Sequence, residues 1–256
     1  MISLDKLSKR FGDRTAVDAL SFEVPPGQIV GFLGPNGAGK STTLKMLTGM
    51  IEPSGGRATV CGFDLQTQPV EVKRNVGFVP ESGAVFESLT GLEYLEMVGA
   101  LYGIPQNAAR ARIKQFIAFF DLSFETLTDK LLGAYSKGMR RKVVITSALL
   151  HNPPVVFFDE PLDGLDANAA VGFKALIQML AREGKTIVYS SHILDVVERV
   201  CHRVIIIDKG KLLLDGKPDE LVAAHNSGTL EKLFTQLTGG TELERRAEDF
   251  ARTFRP

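Results

Sequence analysis

Residues 34–42 read Gly-Pro-Asn-Gly-Ala-Gly-Lys-Ser-Thr. They fill the pattern G-x-x-x-x-G-K-[ST], with Gly34, Gly39, Lys40 and Ser41 at the defined positions. Glycine lacks a Cβ and accepts positive φ, so the backbone can wrap closely around phosphate oxygens with its N–H groups pointing inward. The lysine of this pattern reaches the β- and γ-phosphates, and the hydroxyl residue holds Mg²⁺. The stretch therefore reads as a phosphate loop and predicts a site for a nucleoside triphosphate.

The sequence on either side of the phosphate loop has the expected pattern. Residues 28–33 form a short apolar run typical of a buried strand, and residues 42–48 are predicted to form a helix that Gly49 ends. An ordinary glycine-rich turn is the alternative, but the order of strand, loop and helix favours a phosphate loop. The motif does not specify which nucleotide binds.

Length and composition limit the class of protein. The chain has 256 residues, which is room for one large domain or one domain plus a subdomain. A charged fraction of 23% and zero net charge are ordinary for a soluble globular protein and predict no nucleic-acid partner. Cys61 and Cys201 form no CxxC motif and are expected as buried thiols in a reducing cytosol. No apolar run approaches about 18 residues, and strand-like sequence begins at Met1, so neither a membrane span nor a signal peptide is expected.

A second nucleotide motif follows the apolar run of residues 155–158, where Asp159 and Glu160 stand in succession. A fully apolar strand suits the centre of a parallel sheet, and ligands of such sheets bind at the carboxyl ends of the strands. Asp159 there suits Mg²⁺, and Glu160 can activate water as a general base. A strand that happens to end in acids is the alternative, and it is disfavoured once the phosphate loop is considered too.

A third apolar strand, residues 186–190, leads to His192. A histidine at the carboxyl end of a strand can donate a hydrogen bond to a γ-phosphate, although a lone histidine is more often structural or exposed. His151, His202 and His225 have no comparable placement and are expected as core or solvent-facing residues.

Taken together, these motifs resemble the ATP-binding cassette family, the ATPase subunits of ABC transporters, over about residues 1–225. The resemblance places Asp163 in the family's D-loop, here Leu-Asp-Gly-Leu-Asp at residues 162–166, and His192 at its switch histidine. Phe11 falls where the family stacks an aromatic ring on adenine, with a simple core position as the alternative.

The family signature is usually Leu-Ser-Gly-Gly-Gln, and residues 135–139 here read Tyr-Ser-Lys-Gly-Met. Ser136 can cap the helix that follows, and Gly138 lets the backbone approach closely. The resemblance implies that such a helix start binds the γ-phosphate of ATP held by a second copy. Lys137 and Met139 are departures that also occur in one bacterial exporter subgroup of the family.

A second departure is Glu81, where the family usually has a glutamine that touches Mg²⁺ and the attacking water. A glutamate keeps the length and one oxygen but adds a charge. It can bind the metal or compete with Glu160 for the water, and the same subgroup often has Glu at this position.

The predicted fold class is α/β, with a RecA-like P-loop NTPase core, a mostly parallel sheet, a small antiparallel β layer and an inserted α-helical subdomain. The nucleotide-binding domain is expected over residues 1–225, with the helical subdomain at about 86–152 and a helical tail at 226–256. Phe86 and Leu89 either contact a membrane partner's cytoplasmic helix or pack under the helical subdomain.

The resemblance implies an ATP-hydrolysing subunit of an ABC transporter, in particular an exporter, that acts on a separate multi-helix transmembrane permease. Two copies, or this chain and a related ATPase, would form a dimer around ATP on the cytoplasmic face of the cell membrane. The alternative is a soluble ABC-family ATPase acting on a non-membrane partner such as DNA or ribosomes. Those relatives need coiled-coil insertions, two cassettes or cysteine clusters, which this sequence lacks. A GTPase or small-molecule kinase would share only the phosphate loop.

The expected site has three groups. The catalytic residues are Lys40, Glu160 and His192. The Mg²⁺ ligands are Ser41, Glu81 and Asp159. The ATP-binding residues are Phe11, Gly34, Pro35, Asn36, Gly37, Ala38, Gly39, Lys40, Ser41, Thr42, Ser136, Gly138 and Asp163.

Overall fold

Two β-sheets and the helices around them make up the described part of the computed structural model, which comprises residues 1–239 and Phe250. The strands are β1 (Ile2–Phe11), β2 (Arg14–Val24), β3 (Ile29–Leu33), β4 (Gly55–Val60), β5 (Phe63–Asp64), β6 (Val76–Val79), β7 (Val155–Asp159), β8 (Thr186–Ser190), β9 (Arg203–Asp208) and β10 (Lys211–Gly216). The helices are α1 (Lys40–Leu47), α2 (Pro69–Arg74), α3 (Gly91–Leu101), α4 (Gln106–Phe119), α5 (Phe124–Asp129), α6 (Lys137–Leu149), α7 (Ala167–Arg182), α8 (Leu194–Val200), α9 (Pro218–Ala224) and α10 (Leu230–Thr238).

The larger sheet has six strands in the order β10-β9-β3-β8-β7-β6, and all neighbours pair in parallel except β9 and β10. Every residue of β3, β7 and β8 is buried, as expected for strands covered on both faces. The predicted α/β fold with a mostly parallel sheet is therefore confirmed. The carboxyl ends of β3, β8, β7 and β6 lie side by side and bring together the segments that follow them.

The smaller sheet is the predicted antiparallel layer, with strand order β2-β1-β4-β5. Helix α1 lies between the two sheets, and its residues Leu44, Met46 and Leu47 belong to one core cluster with residues of both. The helix begins at Lys40, two residues before the predicted start, because Gly39 already serves as its N-cap. The lysine and hydroxyl residues of the phosphate loop therefore stand on the first helical turn.

Helices α3 to α6 lie between β6 and β7 in the chain and share a core cluster of their own. Thr90 begins α3 with a capping box, in which its hydroxyl accepts from the Glu93 amide and the Glu93 carboxylate accepts from the Thr90 amide. Helix α4 starts directly after Pro105 and ends before Asp121, whose φ is 52°.

In the C-terminal tail, α10 ends at Gly239, whose φ of 81° is the left-handed conformation that closes helices. The part of the predicted helical tail beyond Gly239 lies, apart from Phe250, outside the described residues. Across the described residues, none of the helices combines the length and apolar character needed to cross a membrane.

Candidate functional site

The phosphate loop connects β3 to α1 and contains two glycines with positive φ. Gly37 has φ of 80° and Gly39 has φ of 109°, conformations that residues with a Cβ rarely adopt. A Cβ on Gly39 would also lie 2.5 Å from the carbonyl oxygen of Ala16 on β2. The loop is held from outside as well, since the Gly210 amide donates to the Ala38 carbonyl at 2.9 Å. This cradle fits a chain of phosphate groups, because its amides stand at a helix N-terminus and its glycines lack a Cβ.

Lys40 extends back along the phosphate loop from the first turn of α1. Its ammonium donates to the carbonyl oxygens of Gly34 at 2.6 Å and Pro35 at 3.2 Å. Burial lowers the pKa of Lys40, and the nearby carboxylates of Glu160, Asp159 and Glu81 act in the opposite direction. Lys40 therefore places a positive charge in a site that also contains three acids.

Strand β7 delivers its two acids to the carboxyl end of the sheet. Asp159 is its last residue and is buried, and Glu160 follows with φ of 48°. The Glu160 amide donates to the Ser190 carbonyl of β8 at 3.0 Å. Burial raises the pKa of Glu160, while His192 and Lys40 counteract that shift. A carboxylate with a raised pKa beside a phosphate site is suited to accept a proton from water.

His192 reaches Glu160 from the end of β8. Its Nδ1 lies 2.8 Å from Glu160 Oε2. The side chain of His192 is 75% exposed and that of Glu160 is 14% exposed, so the histidine is in contact with solvent while the carboxylate is largely buried. The imidazole can orient the carboxylate and still present its other nitrogen outward. The structure thus brings the predicted base and the predicted switch histidine into direct contact.

A cavity of about 550 Å³ unites most of the predicted site residues. Predicted residues on its wall are Phe11, Asn36, Gly37, Gly39, Lys40, Ser41, Thr42, Glu81, Asp159 and Glu160. The other phosphate-loop residues, Gly34, Pro35 and Ala38, do not line the cavity, and the side chain of Ala38 is buried. Phe11 is 52% exposed and therefore does not fill the core, which was the alternative for this residue.

The same cavity contains Arg14 and Ala16, which the motifs did not identify. Arg14 pairs directly with Phe11 across the turn between β1 and β2. A Cβ on Gly37 would lie 3.6 Å from its guanidinium, so Arg14 reaches the edge of the phosphate loop. The turn residues Gly12 and Asp13 were the available signal, because a two-residue hairpin places the residues before and after it side by side.

The signature residues lie apart from this cavity. Ser136 is the N-cap of α6, and its hydroxyl accepts from the Met139 amide at 3.2 Å. Lys137 Nζ lies 2.6 Å from Asp163 Oδ2, and this pair is on the surface. Ser136, Gly138 and Asp163 do not line the 550 Å³ cavity. Within one copy, then, the structure keeps the signature and the phosphate loop separate.

The predicted metal ligands have the chemistry that Mg²⁺ prefers. Ser41, Glu81 and Asp159 all face the cavity and offer a hydroxyl and two carboxylates. Among the described residues, no group of three or more His, Cys, Asp or Glu side chains forms a metal site of its own. Mg²⁺ usually takes one or two carboxylates and completes its shell with substrate phosphates and water, so the residues present fit.

The parallel sheet, the phosphate loop and the acids at the end of β7 define a P-loop nucleoside triphosphatase. The family model described as ABC transporter matches residues 17–163, and the chain belongs to that family. The predicted family is therefore confirmed.

Relatives in other organisms agree over most of the chain. The ABC transporter ATP-binding protein NatA of Bacillus subtilis is 40% identical over 91% of this chain and 96% of its own length. The Nod factor export ATP-binding protein I of Burkholderia pseudomallei is 38% identical over 87% of this chain and 73% of its own length.

Solved structures show the same architecture. The ATP-binding subunit of an ABC transporter superposes with a TM-score of 0.87 and 30% identity, covering 93% of this chain and 99% of that chain. The bacterial ABC transporter cassette MJ0796 in its dimeric form gives a TM-score of 0.78 and 25% identity, covering 85% of this chain and 98% of that chain.

These findings confirm the predicted activity at the level of the family. The chain is an ATP-binding and ATP-hydrolysing subunit of an ABC transporter. Among the solved structures, the cassette MJ0796 is dimeric, and cbiO1 of Clostridium perfringens is part of the ABC transporter complex cbiONQ.

Proposed function

We propose that this chain drives an exporter by binding Mg²⁺-ATP between two copies and hydrolysing it at Glu160. The contact of 2.8 Å between His192 and Glu160, which lines the phosphate-loop cavity, carries the proposal. Export is supported by the Nod factor export proteins among the relatives and by the Ser-Lys-Gly-Met signature. The proposal also divides the chain into a nucleotide-binding domain at residues 1–225 and a tail at 226–256.

The residues would divide the hydrolysis of ATP among them. The phosphate-loop amides and Lys40 bind the phosphates, and Lys40 balances the negative charge that develops during transfer. Ser41, Asp159 and Glu81 would hold Mg²⁺, which supplies charge neutralisation on the β- and γ-phosphates. Glu160 accepts the proton of the attacking water, and His192 orients its carboxylate. Phe11 offers an exposed aromatic face on which adenine can stack.

Dimerisation is supported by the separation of the signature from the phosphate loop within one copy. Ser136 and Gly138 stand at the exposed start of α6, where amides and the helix dipole favour an anion. A second copy can present this helix start to the ATP held by the first, together with Asp163. MJ0796 forms a dimer, and a homodimer or a pair with a related ATPase subunit would serve equally here.

A groove of about 390 Å³ between α3 and the sheet offers a place for the permease. Phe86, Met50 and Leu101 line it with 61%, 57% and 78% of their surfaces exposed. Leu89 does not line it, so Phe86 alone of the two predicted contact residues faces the groove. We assign the groove to a cytoplasmic helix of a multi-helix permease, which places this chain peripherally on the cytoplasmic face of the cell membrane. The apolar rim suits the apolar face of such a helix.

The groove is tested with Phe86→Ala. Affinity for the co-purified permease should fall, because a central aromatic anchor often accounts for a large share of binding energy. Phe124→Ala is the matched control, since Phe124 is 48% exposed on α5 but does not line the groove. Equal permease affinity for both variants and the parent, with unchanged folding, would remove the groove from the proposal.

The proposed function as a whole is tested with Glu160→Gln. The variant should bind ATP, lose most hydrolysis and accumulate as an ATP-bound dimer. The experiment purifies the tagged variant from solubilised membranes of the host, with ATP and Mg²⁺ present. A co-purifying polytopic membrane protein supports the proposal. Ribosomal or DNA-associated proteins would favour a soluble ABC-family ATPase, and hydrolysis at the parent rate would transfer the role of base to Glu81.

A further inference from the structure

Arg141 lies one turn into α6, and its buried side chain connects this helix to two backbone segments, at Pro80 and at residues 159–161. Only 3% of its surface is exposed. Its Nε donates to the Pro161 carbonyl at 3.2 Å, and its Nη1 donates to the Pro80 carbonyl at 2.5 Å. Its Nη2 donates to the Asp159 carbonyl at 3.0 Å and also to the Glu160 carbonyl. One guanidinium therefore holds four backbone carbonyls from two segments.

Both segments carry proposed catalytic groups. The Pro80 carbonyl immediately precedes Glu81, and the other carbonyls belong to the two acids at the end of β7 and the proline that follows them. Glu160 has φ of 48°, which an L-residue with a side chain keeps only when its surroundings fix it. Its amide is held by the Ser190 carbonyl and its carbonyl by Arg141. The backbone of the proposed base is thus fixed on both sides.

The surroundings of Arg141 are those of a positioning group rather than of an ion pair. No carboxylate of the described residues lies within ion-pair distance of its guanidinium. Burial lowers the pKa of Arg141, and the more distant carboxylates of Asp163 and Asp159 oppose that effect. Arginine stays protonated in proteins, so its five donors remain available for carbonyls in a fixed planar arrangement.

We propose that Arg141 is a positioning residue for ATP hydrolysis, which couples the orientation of α6 to the positions of Glu160 and Glu81. Helix α6 carries the signature at its N-terminus, so a change at the signature is transmitted by this guanidinium to the backbone of the base. The inference depends on the proposed role of Glu160 as the general base.

The test compares Arg141→Met with Arg140→Met on the same helix. Arg140 has the same charge, but its guanidinium pairs with Glu87 at 3.0 Å and with none of the four carbonyls. Arg141→Met should lower kcat about 100-fold, which is the cost of a misplaced catalytic group, and leave the KM for ATP within about threefold. Arg140→Met should keep kcat within about twofold. An equal loss in both variants, or parent kcat in Arg141→Met, would overturn the inference.

A second comparison separates positioning from structure. In the Glu160→Gln background, Arg141→Met should lower single-turnover hydrolysis by less than about threefold, because groups that act through one another are not additive. A further loss of about 100-fold would show that Arg141 acts independently of Glu160 and would contradict the inference. Parent hydrolysis in Glu160→Gln alone would instead refute the proposed function.

Arg141→Lys covers the case in which Arg141→Met does not fold. Lysine keeps the charge, but its single ammonium cannot replace a planar group that reaches carbonyls in two segments at once. A folded Arg141→Lys should lose about tenfold in kcat with unchanged ATP affinity. Parent kcat in this variant would also overturn the inference.

Discussion

Gly39→Ala in the phosphate loop tests two physical costs at once, and Gly37→Ala tests one of them alone. Both positions have positive φ, 109° and 80°, which costs an alanine about 1 kcal/mol or more. The Cβ of alanine at position 39 would also lie 2.5 Å from the Ala16 carbonyl oxygen, whereas at position 37 the nearest atom is 3.6 Å away. Relieving the overlap adds about 1–3 kcal/mol. We expect losses of about 2–4 kcal/mol for Gly39→Ala and about 1 kcal/mol for Gly37→Ala.

The assay is urea denaturation of both variants, followed by titration with a fluorescent ATP analogue. If the phosphate loop must regain its present shape to bind phosphate, the additional 1–3 kcal/mol corresponds to roughly 5- to 150-fold weaker affinity for Gly39→Ala than for Gly37→Ala. Both variants should keep the same m-value, since neither changes the surface exposed on unfolding. Equal losses in stability and in affinity for the two variants would refute the steric argument and leave only the backbone cost.

Three further predictions concern stability. Thr90→Ala removes the N-cap of α3 and should cost about 1 kcal/mol in urea denaturation with hydrolysis unchanged; a stability equal to that of the parent would contradict this assignment. Phe173→Ala should lower the free energy of unfolding by about 3–5 kcal/mol, because its fully buried ring packs edge-on against Phe158 at 5.0 Å. A loss below about 1 kcal/mol would show that neighbouring side chains fill the cavity left by the ring. Burial lowers the pKa of His151 to about 4, so the unfolded chain binds its proton more readily and stability should fall as pH drops from about 6.5 towards 4. His151→Phe, which preserves a ring against Tyr102, should weaken this pH dependence of Tm; equal pH slopes would argue against it.

The central sheet could be predicted from the sequence because its signals are local. Strands β3, β7 and β8 are mainly apolar runs, and each is followed by a residue type that belongs at a nucleotide site. The strand order could not be derived from the residues alone, since parallel pairing joins segments far apart in the chain. The irregular pairing of β1 with β2 was also not predicted. Its register shifts occur near Lys6 and Ala19, which have positive φ. Lysine and alanine rarely adopt this conformation, so the sequence gives no signal for it.

The site divides along the same line. Residue types with a chemical role, such as Lys40 and Glu160, could be identified because motifs fix their spacing from a strand or helix. Arg141 could not be identified in this way, because it belongs to none of these motifs. Its partners are backbone carbonyls, which every residue possesses, so no side chain at positions 80 or 159–161 signals the contact. The sequence shows the chemistry of the arginine side chain, but it does not show which distant backbone carbonyls that side chain contacts.

Three contacts at the start of α6 show why the segment after β7 should respond to the helical subdomain. Lys137 pairs with Asp163 on the surface, and a Cβ on Gly138 would lie 2.5 Å from the Gly164 carbonyl oxygen. Arg141, about one turn further on, holds the carbonyl of Glu160. The exposed ion pair between Lys137 and Asp163 adds less than about 1 kcal/mol of stability, so it can break readily. The buried guanidinium of Arg141, by contrast, would lose all of its hydrogen bonds to the four carbonyls if it moved away. A rotation of α6 must therefore carry Glu160 with it or break the buried contact, and either event changes the geometry of hydrolysis when the signature meets ATP.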